Sequence, residues 1–377
     1  MTDETKTTAS SQHRDRLVLF AGGGSAGHVF PGLAVAEVLA ARGWVVRWTG
    51  RPDGMERKLL EMRGVGYEPL SASPLVGQGV LGKIKALMTL FASAWSGRKL
   101  VRRLDASVVV GTGGYVSAPA VLGARLAGRP SLLFEPNTRA GAANRMLSRW
   151  AAAAAVAFAG ADDDFSCRVE TTGTPVRDGF FHLAQPDAGK SPTVLVLGGS
   201  QGALEVNQLL PGAVEELAGR LEELGLSGLT VNHQTGAAHL DSVRAAYAAR
   251  ELGTVNVEVV RFLDDMPAAL GAADLVISRA GAITLAELCA SGRPGVLIPL
   301  RQAGDHQLDN ARRLESAGCA VVLAGDEATV QGLGRVLEQL LADRQRLATM
   351  GGAARGLASR EAAARIADLV DELEEAA

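Results

Sequence analysis

Thr193-Val-Leu-Val-Leu-Gly-Gly-Ser-Gln-Gly-Ala203 runs from a short apolar segment directly into a glycine-rich turn. This is the pattern of a buried parallel strand that feeds a tight loop and then a helix. A second copy stands near the start of the chain, where Leu17-Val-Leu-Phe20 leads into Gly22-Gly-Gly-Ser-Ala-Gly-His28. Two such turns predict an α/β protein made of two doubly wound, Rossmann-like domains facing each other across a cleft.

Outward from the first turn, residues 33–42 read as its helix, closed by Gly43, and 44–49, 108–110 and 131–134 read as further strands. The alanine-rich stretch 150–158 fits a helix end and a short buried strand equally, because its periodicity is weak. Residues 173–192 are rich in chain breakers, which predicts an interdomain linker between an N-terminal domain at 16–172 and a C-terminal domain at 193–352. In the second half, strands are expected at 193–197, 229–232, 255–260, 275–278, 295–299 and 320–323. The amphipathic pattern from 353 to 373 predicts a single closing helix within 353–377 that packs back toward the first domain.

A chain of 377 residues, 47% hydrophobic and with 45 glycines, can bury two such cores. Its formal charge of −3 supplies no global positive field and argues against a nucleic-acid partner. The three cysteines, Cys167, Cys289 and Cys319, are odd in number and lack metal-ligand spacing, which fits a reducing compartment. The first fifteen residues lack the apolar core of a signal peptide, and no later segment reaches about 18 uninterrupted apolar residues, so no membrane span is expected.

Glycine-rich strand-to-helix turns leave backbone N–H groups free for phosphate oxygens, although glycines also serve tight packing alone. Neither turn carries the full dinucleotide pattern, since Asp53 sits in a polar loop. His28 ends the first turn, where it reads either as a general base or as a structural histidine. Asn137 and Asn144 follow the strand at 131–134 and suit either a sugar ligand or a turn and helix anchor. Thr284 and Glu287 share one helical face, where a carboxylate can accept both ribose hydroxyls or simply cap its own helix. His306 and Gln307 read either as part of a polar loop suited to sugar hydroxyls or as part of a capped surface helix. The stretch 80–95, with Lys83, Lys85, Arg98, Lys99, Arg102 and Arg103 in and after it, reads as core packing or as a surface for an anionic bilayer.

Ten segments in order, among them GGGSAGHVFPGLAVAE from Gly22, GTGGYVSAPA from Gly111, FEPN from Phe134, GTPVR from Gly173, VLGGSQGALEVN from Val196, SRAGAITLAEL from Ser278 and DHQLDNA from Asp305, span nearly the whole chain. In these the chain resembles the bacterial undecaprenyldiphospho-muramoylpentapeptide β-N-acetylglucosaminyltransferases of peptidoglycan synthesis. The resemblance implies a glycosyltransferase fold of the B type that uses UDP-N-acetylglucosamine and an undecaprenyl-linked muramoyl-pentapeptide. It would work as a peripheral enzyme on the cytoplasmic face of the plasma membrane, against an anionic membrane surface and near other cell-wall synthesis proteins.

Carried onto this chain, the resemblance gives Glu287 the ribose and the Leu263 backbone the uracil. Ser200, Gln201 and Gly202 receive the diphosphate, with Arg177 nearby and Ala282 and Thr284 at the start of the ribose helix. It gives Asn137, His306 and Gln307 the N-acetylglucosamine, and Ser25, Ala26, Gly27, Tyr115 and Asn144 the acceptor cleft, with His28 as base. No protein metal site is expected, and a divalent cation such as Mg2+ is an optional helper. Phe134 stands where the family usually has histidine, Pro136 where it has glutamine, and His306 where it has the first glutamine of a pair. The competing classes are a UDP-N-acetylglucosamine 2-epimerase, a noncatalytic nucleotide-sugar binder and another lipid glycosyltransferase.

Overall fold

The computed structural model describes residues 16–24, 26–71, 79–187, 189–199, 202–300 and 306–377. The first sheet contains β1 (Leu17–Ala21), β2 (Val45–Gly50), β3 (Gly66–Pro69), β4 (Val108–Gly111), β5 (Ser131–Glu135), β6 (Ala153–Val156) and β7 (Arg168–Thr171). Its helices are α1 (Ala26–Ala41), α2 (Met55–Glu61), α3 (Gly79–Arg103), α4 (Ala118–Ala127) and α5 (Ala142–Leu147). The second sheet contains β8 (Thr193–Leu197), β9 (Leu229–Gln234), β10 (Val255–Val260), β11 (Leu275–Ser278), β12 (Gly295–Leu297) and β13 (Ala320–Val322). With it run α6 (Leu204–Ala218), α7 (Leu240–Ala248), α8 (Met266–Ala272), α9 (Ala282–Ser291), α10 (His306–Ser316), α11 (Val330–Leu341), α12 (Arg344–Leu357) and α13 (Ala362–Glu375).

The strand orders are β3-β2-β1-β4-β5-β6-β7 and β10-β9-β8-β11-β12-β13, with parallel pairing from β1 to β4 and from β8 to β11. Each order reverses direction beside its first strand, so each sheet has a crevice at the carboxyl ends of β1 and β4, or of β8 and β11. Both faces of each sheet are covered, which explains why the strands read as continuous apolar runs. In the first domain Val18, Phe20 and Val110 pack with Leu33 and Leu39 of α1, while Leu19, Val109 and Leu133 pack toward α3 and α4. In the second, Val194, Val196 and Ile277 meet α6 and α11, and Leu195 and Val276 meet α9.

Several sequence expectations change. The ambiguous alanine run is strand β6, with all four residues buried between β5 and β7. Strands β3 and β7 were not anticipated, being short and only partly apolar. Helix α1 begins at Ala26, not at 33, and takes Pro31 into its second turn. The single closing helix is instead two: α12 packs on α9 of the second domain, and α13 packs on α1 of the first.

Tertiary contact makes that break. Ala358 is extended, and the Ser359 hydroxyl donates to the Thr172 carbonyl at 3.0 Å. Gly173, at φ 85°, passes so close that a Cβ on it would lie 2.3 Å from that of Ser359. Beyond the crossing, Ile366 and Val370 of α13 enter the first core, and Asp371 accepts from Trp44 Nε1 at 2.8 Å and from Arg42 at 2.7 Å. The chain before β8 is also packed down, with Phe180 buried in the second core.

Helices α3 and α4 meet backbone to backbone. A Cβ on Gly97 would lie 1.9 Å from the Pro119 carbonyl oxygen, and one on Gly123 would lie 2.4 Å from the Gly97 backbone. Neither neighbour is a side chain that can swing away. Gly97→Ala should therefore destabilise the protein by about 1–3 kcal/mol through overpacking, measured as a lower denaturant midpoint.

Candidate active site

The turn after β1 is tied down from beneath. The buried indole of Trp48 donates to the Gly22 carbonyl at 2.8 Å, and Glu56, itself buried, accepts from the amides of Gly24 and Arg51, each at 3.2 Å. A Cβ on Gly23 would come within 2.3 Å of that carboxyl group, so the loop needs glycine to lie over it. His28 follows in the first turn of α1. Its Nδ1 is 3.0 Å from the Thr112 carbonyl oxygen. Because a carbonyl only accepts, Nδ1 carries the hydrogen and the lone pair is left on Nε2. Burial holds the imidazole pKa below its ordinary value of 6.5, against the raising effects of the Thr112 bond and the Glu135 charge.

Gly113 and Gly114, both at positive φ, wrap this ring. A Cβ on Gly113 would meet His28 Nδ1 at 2.9 Å and Asn144 Nδ2 at 3.9 Å, so both side chains flank one backbone turn. Tyr115, next in the chain, receives a 3.4 Å bond from Arg51 at its hydroxyl.

Glu135 organises the neighbouring loop. Only 2% exposed, its carboxylate accepts four hydrogen bonds: from Asn137 N and Nδ2 at 3.1 and 2.8 Å, Gly141 N at 2.9 Å and Asn144 Nδ2 at 3.0 Å. Asn144 Nδ2 also donates to the Phe134 carbonyl at 2.9 Å, while Asn144 Oδ1 is buried without a partner among the described residues. Asn137 reaches the other domain, its Oδ1 accepting from Asn310 Nδ2 at 3.1 Å. Asn310, fully buried on α10, in turn accepts at Oδ1 from Thr138 N and Oγ1 at 3.0 and 3.1 Å. An Arg139–Asp309 ion pair at 2.8 Å flanks this bridge. Phe134, in contrast, points into the hydrophobic core, so its replacement of the family's histidine lies away from the cleft.

Across the cleft, α9 starts after Gly281 with no side-chain cap, leaving its first amides open, and α9 touches α1. Ala282 and Thr284 lie in this first turn, with Glu287 one turn on. Burial raises the Glu287 pKa to about 7, opposed by the positive charge of Arg177. The Arg177 guanidinium stacks 5.1 Å from the ring centroids of both Phe30 and Phe180, and its Nε is buried without a partner among the described residues. Gly202, at φ 82°, is buried against Thr235 and His239. Leu263 is partly buried on the second core. Gln307 Oε1 accepts from Leu300 N at 3.0 Å, and His306 Nδ1 is buried without a partner among the described residues. Ala26 and Gly27 begin α1, whereas Ser25, Ser200 and Gln201 lie outside the described residues. Among the described residues, no group of three or more His, Cys, Asp or Glu side chains is arranged to hold a metal ion.

The structure thus brings His28, Tyr115, Asn137 and Asn144 together in the first domain, sets Arg177 near Glu287, and puts His306 and Gln307 not in a loop but in the first turn of α10, the helix that carries Asn310. Sequence reading missed Glu56, Glu135, Asn310 and Arg279. The last of these sits at the tip of β11, where burial lowers its pKa against the opposing charge of Glu205. Glu135, Asn310 and Arg279 fall inside the motifs quoted above, but their roles depend on partners brought close only by folding. His233 is a core residue bonded to Tyr247 and Asn207 at 3.1 and 3.0 Å, with burial lowering its pKa to about 4.

Two doubly wound domains, with the helix that bears the imidazole in contact with a helix that has an open start and a half-buried carboxylate, define a nucleotide-sugar transferase of the two-domain type. The glycosyltransferase family 28 N-terminal domain matches residues 18–156 and the corresponding C-terminal domain residues 193–370, and the chain belongs to this family. It is similar to the UDP-N-acetylglucosamine–N-acetylmuramyl-(pentapeptide) pyrophosphoryl-undecaprenol N-acetylglucosamine transferase of Halorhodospira halophila, at 40% identity over 95% of this chain and 98% of that protein. The crystal structure of Acinetobacter baumannii MurG superimposes with a TM-score of 0.78 at 32% identity, covering 95% of this chain and 100% of the other. A UDP-N-acetylglucosamine 2-epimerase structure shares the fold alone, with a TM-score of 0.64 at 14% identity over 94% and 95% of the two chains.

Glu135→Gln keeps the shape of the side chain but turns one acceptor oxygen into a donor facing N–H groups. A loss of about 2–3 kcal/mol is expected, read as a lower urea midpoint of unfolding.

Proposed function

We propose that this protein transfers N-acetylglucosamine from UDP-N-acetylglucosamine to the 4-hydroxyl of undecaprenyl-diphospho-N-acetylmuramoyl-pentapeptide, forming a β1,4 bond and releasing UDP. The observation that carries the reading is the free Nε2 of His28 on one wall of a cleft whose other wall holds the open start of α9 with Glu287 and Arg177 behind it.

On this reading Glu287 accepts the ribose hydroxyls, and the backbone at Leu263 recognises uracil. The amides at the start of α9, near Ala282 and Thr284, and the Ser200–Gly202 turn meet the diphosphate, with Arg177 close by. Asn137, His306 and Gln307 orient the sugar, and the His306 Nδ1 without a partner is a polar atom that a sugar hydroxyl would satisfy. The turn at Ser25, Ala26 and Gly27 holds the acceptor together with Tyr115 and Asn144, whose free Oδ1 is likewise available.

His28 Nε2 takes the proton of the muramoyl 4-hydroxyl as that oxygen attacks the anomeric carbon from the face opposite UDP, inverting it. The bond to the diphosphate breaks as the new bond forms, and charge accumulates on the departing UDP. Helix-start amides and Arg177 stabilise that charge. The Asn137–Asn310 bridge keeps the two walls in register, which matters because misplacement by about 1 Å can cost roughly a hundredfold in rate.

The direct test incubates the protein with both substrates and detects UDP together with the β1,4 disaccharide lipid; failure of both to form with folded protein would refute the reading. His28→Ala should lower kcat by about a hundredfold or more while leaving UDP-N-acetylglucosamine affinity unchanged. With UDP-N-acetylglucosamine saturating, so that the ionisation of Glu287 does not enter, the acid limb of the unaltered enzyme's kcat profile should lie below the ordinary histidine pKa of 6.5, because burial favours the neutral base.

Glu287 supplies a second pH signature. With its pKa raised to about 7, the carboxylate is mostly protonated below that pH and ionised above it. UDP-N-acetylglucosamine, whose diester phosphates do not titrate in this range, should bind roughly tenfold more tightly at about pH 8 than at about pH 6 by calorimetry.

We further infer a peripheral site of action on the cytoplasmic face of the membrane. On α3, Met88 and Phe91 are 68% and 67% exposed, Trp95 is also exposed, and Lys99 and Arg102 follow on the surface. Among the described residues no helix is long and apolar enough to cross a bilayer. The side chains of Lys83 and Lys85 lie outside the described residues. Replacing Lys99 and Arg102 by Gln should weaken partitioning onto anionic liposomes by several-fold per charge, about 1 kcal/mol each at low salt, as measured by sedimentation.

A further inference from the structure

We propose that the apolar groove between α3, α4 and α5 is a subsite for the first isoprene units of the acceptor's polyprenyl chain, distinct from the exposed α3 face that meets the bilayer. This inference rests on the acceptor assignment made above. The groove has a volume of about 340 Å³, and its walls include Leu90 and Ser93 of α3, Tyr115, Pro119 of α4, and Ala143 and Met146 of α5.

Its chemistry selects the occupant. Ser93 Oγ is turned to the Leu90 carbonyl at 2.8 Å, and beyond the Tyr115 hydroxyl, which accepts from Arg51, the lining offers little to a sugar or a peptide. A polar ligand would lose water without gaining partners there. A hydrocarbon chain loses nothing. At roughly 30 Å³ per methylene-sized group, comparable to a water molecule in the liquid, the space holds about ten carbons, or two isoprene units.

Position points the same way. Tyr115 at one end directly follows the Gly113–Gly114 turn that wraps His28, and Ala143 precedes Asn144, which flanks the same turn. At the other end, Leu90 neighbours the exposed Met88 and Phe91 on α3. An acceptor with its diphosphate at the first-domain turns and its tail in the bilayer has to pass between these ends. The wall is firm, because α3 and α4 touch backbone to backbone at Gly97 and Pro119.

The test compares two soluble acceptors, the muramoyl-pentapeptide diphosphate carrying either a two-isoprene chain or a methyl group. Neither anchors stably in a membrane, so a difference between them reports the groove. The unaltered enzyme should show a KM at least about tenfold lower for the two-isoprene acceptor. Filling the groove from opposite walls, by Ala143→Leu and separately by Ser93→Leu, should abolish most of that advantage. The methyl-acceptor KM, the donor KM, kcat and liposome partitioning should stay unchanged. Using two variants guards against one that folds poorly, which a thermal melt would reveal.

Equal KM values for the two acceptors in the unaltered enzyme would overturn the subsite. So would filled variants that weaken both acceptors alike, or that lose liposome binding in parallel. Absence of transfer by the unaltered enzyme to the undecaprenyl-linked acceptor as well as to both short ones would instead refute the function itself, and the subsite with it, whereas transfer to the undecaprenyl-linked acceptor alone would overturn only the two-isoprene subsite.

Discussion

The cleft depends on one buried carboxylate. Glu135 sits at the end of β5 with four donors converging on it, and a carboxylate removed from water requires such partners to remain charged. Its bonds fix the loop from Asn137 to Asn144. One end of that loop lies beside His28, and the other reaches Asn310 in the second domain. A single anion therefore sets the position of an acceptor-side asparagine and of the contact between the domains. Its charge also acts on the His28 imidazole, opposing the desolvation that favours the neutral ring.

The contact between the Asn137–Arg139 loop and α10 is polar. Asn310 bonds both Asn137 and Thr138, and the Arg139–Asp309 pair stands beside it. Polar contacts of this kind can be exchanged for water at modest net cost, unlike a broad apolar interface. The C-terminal crossing has a different character. There α13 contributes Ile366 and Val370 to the first core while α12 stays on the second domain, so the chain itself joins the two bodies behind the cleft. A covalent connection at the back and exchangeable amide bonds at the front suit an enzyme that must admit two substrates and then exclude water.

Much of the architecture was legible in the amino-acid order. Strands buried on both faces must be apolar throughout, and a glycine turn after such a strand marks the ligand-facing edge, so β1, β4, β5 and the core strands of the second sheet could be located directly. Their motifs also carried the family. The elements that escaped were those whose local pattern is weak: β3 and β7 are partly polar edge strands, and β6 is nearly pure alanine, which carries no periodicity. The closing helix was read as continuous because its pattern continues through the break, which a bond from Ser359 to Thr172 imposes from outside.

The same division applies to the site. Residue order alone determined which loops bear the polar groups, because chain direction in a parallel sheet puts every strand-to-helix turn at one edge. It placed His28 and Asn137 on or next to such turns and Glu287 in the helix that follows one. Only the tertiary structure decided what each group can do. The His28 tautomer is set by a carbonyl 84 positions away, the Glu287 acidity by burial beside Arg177, and the alignment of the two walls by an amide on α10. Proton position, acidity and alignment depend on distances through space between residues far apart in the chain, and those distances exist only once both sheets have formed and faced each other.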